Sequence, residues 1–274
     1  MGLASSPDRT EAMRERADKL VVEQGLARSR HLAHALILAG DVYMDEQRIE
    51  KPGQLLETGK TLRLKQRPPF VSRGGLKLEA ALRHFKVPVQ DRIGLDLGAS
   101  TGGFTDCLLQ SGARAVYAVD VDPRQLDWKL RNDPRVTAIK KNARFLTLED
   151  LPGPVDLVVM DLSFISVLKV LPALSLLIGE GRVIALIKPQ FEAGKGRVGK
   201  GGVIRDPSLH FGILKDVIEG ADALGFGMSG VVRSPIQGQK GNREFLVNWE
   251  PGPSVLTPEQ KETKIKEAVW DEIN

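Results

Sequence analysis

The sequence predicts an α/β protein in which a mostly parallel sheet follows a small α+β domain. Seven short apolar runs between residues 93 and 249 have the length of strands. Helical patterns separate most of these runs, which favours a parallel sheet covered by helices on both faces. Two prolines in the stretch 66–70 can continue neither a helix nor a central strand, so this stretch is predicted to link two domains.

The composition is that of a globular protein with a modest excess of positive charge. Of 274 residues, 42% are hydrophobic and 27% are charged, and the formal net charge is +4. This charge is compatible with a nucleic-acid partner without requiring one. Cys107 is the only cysteine, which excludes an intramolecular disulfide. No apolar run has the length of a bilayer span and the N-terminus lacks a signal-like core, so we expect a cytoplasmic protein without membrane insertion.

The first predicted domain spans residues 14–65 and follows a polar tail at residues 1–13. Ser29 is expected to cap its second helix and Gly40 to end it, because a short hydroxyl side chain favours a helix start and glycine favours a helix end. In order, the predicted elements are a helix at 17–22, a helix at 29–40, and short strands at 42–44 and 61–64.

A linker at residues 66–71 leads to the second predicted domain, residues 72–250, whose first helix is expected at 76–85. The last two apolar runs have no helical pattern between them, which predicts a closing antiparallel hairpin. A C-terminal helix is predicted within residues 251–274, because Thr257 is followed by a proline and by a glutamine at capping-box spacing. The predicted strands are 93–96, 115–120, 137–139, 155–161, 183–188, 228–232 and 244–249.

A glycine-rich turn follows the first of these strands and is the strongest indication of a ligand site. Gly98, Gly102 and Gly103 let backbone amides approach a ligand closely, and the next helix presents free N–H groups to a carboxylate or phosphate. Asp120 ends the second strand, where an acid can bind ribose hydroxyls. The pattern predicts a nucleoside-cofactor site, but the glycines alone do not say which cofactor binds.

Four charged residues are predicted to meet at the same edge of the sheet. Asp161 and Lys188 end apolar strands, and Glu244 begins a strand that runs the opposite way. Lys77 lies near the start of the first helix of this domain. A lysine oriented by acids can serve as a general base for a weakly acidic hydroxyl. The alternative for each residue taken alone is an ion pair or a solvent-exposed charge at a strand end.

A glycine-rich basic loop at residues 193–205 follows the Lys188 strand directly and contains no acid. We interpret it as a loop that orders on RNA phosphates, with Lys195, Arg197 and Lys200 as contacts; the alternative is a flexible solvated loop. The four histidines show no spacing typical of metal ligands, so no metal is predicted.

The first domain resembles S4 RNA-binding domains. This resemblance implies that the second helix and the loop before it face RNA, with Arg28, Arg30 and His31 as contacts. The hairpin departs from the pattern, since Asp45-Glu46-Gln47 stands where Asn-Gly is common. Residues 1–70 carry 12 Lys and Arg against 10 Asp and Glu, so contacts would be local, and a solvated helix face remains the alternative. The matching positions are Arg16, Asp18, Leu20, Gly25, Ser29, Arg30, Ala33, Leu36, Ile37, Gly40, Val42, Lys51 and Pro52.

The second domain resembles the Rossmann-like FtsJ-type methyltransferases, which use a Lys-Asp-Lys-Glu tetrad for ribose 2′-O-methylation. The matching positions are Lys77, Asp161, Lys188 and Glu244. Together with the S4-like domain and the Ser-Thr-Gly-Gly-Phe sequence at 100–104, the whole chain is similar to the TlyA family. The resemblance implies S-adenosylmethionine as cofactor and cytidine ribose in ribosomal RNA, free or in ribosomal subunits, as substrate.

The resemblance also assigns roles within the site. Lys188 would accept or steer the 2′-hydroxyl proton, Asp161 and Glu244 would orient it, and Lys77 would position the nucleotide. Asp120 would hold the cofactor ribose. Gly98, Ser100 and Gly102 with Asp96 would hold the methionine end of the cofactor, and the adenine would lie near Asn142 and Arg144. Gly103 and Phe104 are also predicted to bind the cofactor.

Three other functions stay open from the sequence. An RNA-binding assembly factor without catalysis would keep the S4-like domain and leave the second domain inactive. A dinucleotide-dependent oxidoreductase would need the full Gly-x-Gly-x-x-Gly pattern, which the loop lacks. A hemolysin, a label that members of the family often carry, would need a segment able to cross a membrane. We expect a monomer.

Overall fold

The structure of the protein, a computed structural model, describes residues 13–65, 68–194, 197–199 and 201–271. The chain divides into two compact units, Met1–Arg67 and Pro68–Asn274. No helix in the described ranges combines the length and the apolar character that a membrane crossing demands. Several sequence predictions fall outside these ranges: the tail at 1–12, linker residues 66 and 67, the contacts Lys195 and Lys200, and residues 272–274 of the last helix.

The first unit is built from two helices and two small sheets. Its elements in order are β1 (Arg14–Arg16), α1 (Ala17–Glu23), α2 (Arg30–Ala39), β2 (Val42–Met44), β3 (Gln47–Arg48), β4 (Leu55–Glu57) and β5 (Leu62–Leu64). β1 pairs with β4, and a three-stranded sheet has the order β3-β2-β5. The predicted helices and the strands β2 and β5 are confirmed. Sequence analysis missed β1 and β3 because they contain no apolar residue, and β4 because its two leucines are adjacent rather than alternating.

The ends of α2 follow from its sequence. The Ser29 hydroxyl accepts a hydrogen bond from the backbone N–H of Leu32, and Gly40 adopts a left-handed φ of 75°. Both predicted caps are therefore confirmed. One face of α2 buries Ala33 and Ile37 against α1 and the small sheet, while its opposite face is exposed.

The second unit is one seven-stranded sheet with helices on both faces. Its elements in order are α3 (Gly74–Phe85), β6 (Ile93–Leu97), α4 (Gly103–Gln110), β7 (Ala115–Asp120), α5 (Trp128–Arg131), β8 (Val136–Lys140), β9 (Leu157–Met160), α6 (Leu171–Leu174), β10 (Arg182–Ile187), α7 (Pro189–Glu192), α8 (Pro207–Ala223), β11 (Phe226–Arg233), β12 (Phe245–Pro251) and α9 (Pro258–Trp270). The sheet order is β11-β12-β10-β9-β6-β7-β8. This confirms the predicted α/β class.

Among the described strands of this sheet, only β12 runs opposite to the others. β12 pairs antiparallel with both β10 and β11, whereas β6 to β10 pair in parallel. The predicted closing hairpin is confirmed. In this sheet the predicted strand 115–120 is exact, and the others differ from the observed strands by one or two residues at one or both ends; β9 is shorter than 155–161, and β12 begins one residue after Glu244. Just before β9, the Asp156 carboxylate accepts the backbone N–H of Ile93.

Two apolar cores lie on opposite faces of the sheet and fix its position between the helices. One contains Leu95 and Trp249, and the other contains Leu78, Leu108 and Ile184. The final helix α9 starts with the predicted capping box between Thr257 and Gln260 and buries Ile265 and Val269 on the first face. The carboxyl ends of the parallel strands and the start of β12 therefore share one edge of the sheet.

In the first unit, a buried carboxylate holds two arginine side chains, one of which, Arg30, is a predicted RNA contact. Asp18 is 1% exposed and accepts hydrogen bonds from Arg16 at 3.0 and 3.1 Å and from Arg30 at 2.8 Å. Nε2 of His34 lies 3.5 Å from the same carboxylate. The Arg16 guanidinium, followed by that of Arg30, holds the pKa of Asp18 well below its usual range despite burial.

We expect Asp18→Asn to destabilise the first unit by about 1–3 kcal/mol, because it removes the buried charged acceptor of the hydrogen bonds from Arg16 and Arg30. Since the pKa of Asp18 is depressed in the folded state, its stabilisation is present above the unfolded pKa of about 4 and is lost as pH falls below it. Urea unfolding of the full chain at pH 7 and pH 3 measures both effects. Glu46→Gln, at an exposed ion pair with Arg63, is the control and should change little.

Candidate functional site

A cavity of about 300 Å³ opens at the sheet edge where the parallel strands end. All four members of the predicted tetrad line it, together with most of the glycine-rich loop. The lining residues are Ser72, Gly74, Lys77, Gly98, Ala99, Ser100, Thr101, Gly103, Phe104, Asp161, Ser163, Phe164, Lys188, Gln190, Phe191 and Glu244. We call this space the tetrad cavity.

The first ion pair of the tetrad cavity is buried. Nζ of Lys77, on α3, lies 2.5 Å from the carboxylate of Glu244, and both side chains are at most 10% exposed. The loop between β11 and β12 closes over this carboxylate. A Cβ added at Gly238 would lie 2.0 Å from Oε1 of Glu244, so glycine is needed for the close approach. Burying either charge without a partner would cost free energy, and the ion pair offsets that cost.

The second ion pair is more accessible and has an additional partner. Nζ of Lys188 lies 2.6 Å from Oδ1 of Asp161 and donates a hydrogen bond of 2.9 Å to the Ser163 hydroxyl. The Phe191 ring lies beneath, with its centre 6.0 Å from Nζ. Sequence analysis did not assign Ser163, although its position two residues after a strand-end acid places it at the ligand edge of the sheet.

Asp120 fastens the glycine-rich loop to the end of β7. Its Oδ2 accepts the backbone N–H of Ser100 and its Oδ1 accepts that of Asp122, both at 2.9 Å. Ser100 has a φ of 48° and Gly98 a φ of 83°, so the loop turns sharply where Asp120 holds it. Each carboxylate oxygen retains a lone pair for a further donor.

A second cavity of about 490 Å³ adjoins the first. Asp120 and Asn142 supply polar groups, while the side chains of Val121, Leu162 and Val170 supply apolar wall. An acid beside an apolar slot suits a nucleoside, whose ribose is polar and whose base is flat. The walls shared with the tetrad cavity are Gly98, Ser100, Asp161, Ser163 and Phe164. We call this space the nucleoside cavity.

Three predicted cofactor residues lie outside both cavities. Asp96 is fully buried beneath the loop, where the Thr105 hydroxyl donates to it at 2.6 Å. Gly102 has a φ of 95°, and a Cβ there would lie 2.3 Å from Leu130, so this glycine serves packing. Arg144 is exposed on a turn after β8. The glycine pattern did not reveal where Asp96 and Gly102 point, because their orientation depends on which side of the loop each residue faces.

The remaining predicted cofactor residues are at the cavity walls. Gly103 and Phe104 start α4 and line the tetrad cavity. Asn142 lines the nucleoside cavity, and its side chain also accepts the N–H of Arg144. The predicted RNA contacts Arg28, Arg30 and His31 are exposed in the first unit.

Arg197 belongs to the basic loop of the second unit. It is exposed, and its guanidinium lies 3.3 Å from the Asp216 carboxylate.

Phe164 is a wall residue that sequence analysis missed. It is 89% exposed, yet it lines both cavities, and its ring centre lies 5.0 Å from that of Phe191. Its φ of 64° is uncommon for a bulky residue, and such strain is concentrated at functional sites. The signal in the sequence was a large aromatic residue three positions after a strand-end acid.

Two family models match the chain. Residues 70–250 match the FtsJ-like methyltransferase family, and residues 15–62 match the S4 domain.

Three similar proteins cover most of the chain. The 16S/23S rRNA (cytidine-2′-O)-methyltransferase TlyA of Mycobacterium tuberculosis is 47% identical over 86% of this chain and 90% of its own. Hemolysin A of Brachyspira hyodysenteriae is 41% identical over 85% and 99%. A solved structure from Streptococcus thermophilus, described as a candidate hemolysin, has a TM-score of 0.71 and 43% identity over 94% and 96%.

The buried Asp96 generates a prediction about pH. Burial raises the pKa of Asp96 to about 7. The hydrogen bond from Thr105 opposes this increase, and the negative charge of Asp161 adds to it. The carboxyl is then neutral in the folded chain while it ionises above about pH 4 in the unfolded chain. The contribution of this carboxyl to the free energy of unfolding is therefore fully present below about pH 4 and is lost as pH rises from about 4 to 7.

We compare the free energy of unfolding of Asp96→Asn with that of wild type. We expect this difference to shift in favour of the variant by on the order of a few kcal/mol from pH 5 to pH 8, because the amide never ionises. Urea unfolding at both pH values measures this difference. Glu149→Gln, at an exposed position, should show no such trend. An Asp96→Asn difference that is the same at both pH values would contradict the raised pKa.

Proposed function

The chain belongs to the FtsJ-like methyltransferase family and, with its S4 domain, to the TlyA proteins, and we propose that it methylates ribose 2′-hydroxyls of ribosomal RNA. The observation that carries this proposal is the presence of all four tetrad side chains in one cavity beside the glycine-rich loop. The Mycobacterium tuberculosis relative is named for cytidine in 16S and 23S rRNA, and we assign the same substrate class to this chain. Such a substrate agrees with the cytoplasmic location expected from the sequence.

The residues around the two cavities fit S-adenosylmethionine. When bound, this cofactor supplies a methyl group on a sulfonium that is already activated for displacement. Asp120 would accept the ribose hydroxyls, and the apolar wall with Asn142 would hold the base in the nucleoside cavity. Gly98, Ser100 and Gly103 would hold the amino-acid end through backbone groups at the tetrad cavity. Asp96 would act from below, by fixing the loop rather than by touching the ligand.

Lys188 is the proposed base. Its nitrogen is ion-paired with Asp161 and donates a hydrogen bond to the Ser163 hydroxyl, which leaves the third tetrahedral position for the tetrad cavity. In the neutral amine that position is a lone pair, which would take the 2′-hydroxyl proton. In the ammonium it is an N–H that holds the oxygen in place, so positioning contributes in both protonation states.

Lys77 and Glu244 would position the nucleotide. Their pairing keeps a cation at the cavity wall while the burial of both groups limits their movement. Phe164, exposed between the two cavities, offers an aromatic face to the target base. Arg28, Arg30 and His31 in the S4 domain, with Lys195, Arg197 and Lys200 in the basic loop, remain proposed RNA contacts.

The first test is methyl transfer from labelled S-adenosylmethionine to ribosomal subunits and to free rRNA. We expect wild type to label a ribose 2′-oxygen and Lys188→Ala to lose roughly 10²–10⁴-fold in rate, because general-base catalysis contributes about that much. Isothermal titration should show that Lys188→Ala keeps its affinity for the cofactor.

Asp120→Ala provides the reciprocal control. It should weaken cofactor binding by about 10-fold or more, since it removes both the ribose acceptor and the anchor of Ser100. Full transfer by Lys188→Ala would remove the proposed base. If wild type binds the cofactor but labels no RNA, the chain is a non-catalytic assembly factor instead.

Ser163→Ala tests how Lys188 is positioned. It should lower kcat roughly 10- to 150-fold and leave both KM values unchanged, because one hydrogen bond to a charged group, worth about 1.5–3 kcal/mol, is removed. Ser163→Thr keeps the hydroxyl and should restore most of the rate. The pH profile of kcat should also shift in Ser163→Ala, which a purely structural role would not produce.

A further inference from the structure

A segment of the second unit next to the glycine-rich loop carries an excess of positive charge. Residues 121–145 hold seven Lys and Arg against three Asp, a balance of +4 that equals the formal net charge of all 274 residues. Arg131, Lys140 and Arg144 make no ion pair with any residue that the structure describes. The ion pairs of the segment in the described ranges are Arg124–Asp122, Arg135–Asp133, Lys141–Asp150 and, at the longer distance of 3.9 Å, Lys129–Asp106.

Two exposed aromatic residues lie among these cations. Trp128 is 72% exposed at the start of α5 and shares a helix face with Arg131, three residues later. Phe145 is 62% exposed, and the Arg144 guanidinium lies 5.4 Å from the centre of its ring. Neither aromatic residue belongs to an apolar core. Aromatic faces interleaved with cations are the pattern by which proteins bind single-stranded RNA.

The packing of α5 places this pattern beside the tetrad cavity. Leu130 is buried against Gly102 of the glycine-rich loop. The backbone N–H of Asp127 donates to the carbonyl of Thr101 at 3.1 Å, and Thr101 lines the tetrad cavity. Trp128 therefore follows a residue that is hydrogen-bonded to the cavity wall. An RNA strand with one nucleotide in the cavity would have its neighbours within reach of α5.

We propose that Trp128, Lys129 and Arg131 form a second RNA-binding surface, the α5 surface, on the methyltransferase domain. An unpaired base next to the target nucleotide stacks on Trp128, while Lys129 and Arg131 neutralise the adjoining phosphates. This inference rests on the proposed function and specifies it further, because stacking on a side chain requires a substrate that is single-stranded around the target.

Tryptophan fluorescence tests the stacking directly. The chain has three tryptophans, and Trp249 is fully buried, which leaves Trp128 and Trp270 exposed. Titration with a mixed-sequence single-stranded RNA of about 20 nucleotides should quench the wild-type signal. Trp128→Phe should abolish the quenching but keep most of the affinity. Trp128→Ala should lose roughly 5- to 100-fold in affinity, as stacking contributes about 1–3 kcal/mol per base.

The charge contribution is separable through salt dependence. In the double variant Lys129→Ala/Arg131→Ala, the slope of log K against log salt should fall by about 1.4, or about 0.7 for each phosphate that is no longer neutralised. Trp270→Phe and Lys266→Ala, both on α9, are matched controls and should leave quenching and slope unchanged. An unchanged affinity in Trp128→Ala, or equal competition by duplex RNA, would overturn the inference.

The outcome is distinguishable from failure of the proposed function. Wild-type methyl transfer to rRNA with unchanged RNA affinity in Trp128→Ala would refute the α5 surface and leave the enzyme assignment intact. Loss of affinity in Trp128→Ala without any methyl transfer by wild type would support the surface and refute the enzyme assignment.

Discussion

The site depends on one reversal of strand direction. Ile187 of β10 pairs with Phe245 of β12, so Lys188, which follows the first, and Glu244, which precedes the second, lie at the same edge. In the parallel part of the sheet, Leu97 pairs with Met160, which brings Gly98 beside Asp161. A parallel β12 would carry Glu244 to the opposite edge. Backbone hydrogen bonding therefore brings Asp161, Lys188 and Glu244 to one edge, and Lys77 reaches them from α3.

The four charges of the tetrad cavity differ in environment although they form two similar pairs. Lys77 and Glu244 are sealed by α3 and by the loop containing Gly238, so their geometry is fixed before any ligand arrives. Lys188 and Asp161 face the opening, where the Ser163 hydroxyl takes a second N–H. This difference suits a division between a rigid positioning pair and a pair that exchanges protons.

Sequence patterns were sufficient to predict where a residue lies when its position follows from its place along one helix, strand or turn. Strand-end charges, the glycine-rich turn and the caps of α2 and α9 belong to this class, because helix and strand geometry fixes where such residues lie. The side of the loop that Asp96 and Gly102 face depends on contacts with distant residues, Thr105 and Leu130 among them. Ser163 and Phe164 were missed because a single hydroxyl or aromatic residue after a strand is common in any sequence.

The Lys77–Glu244 pair joins residues separated by 167 positions in the chain. A ribosome synthesising this protein completes the cofactor loop and five parallel strands well before β12 leaves the exit tunnel. During that interval the nascent chain can form part of the fold, but it lacks Glu244 and therefore the complete tetrad. Domains fold as units during synthesis. A product truncated before residue 244 would leave Lys77 buried without its carboxylate partner, so a stable site depends on synthesis of the last strand.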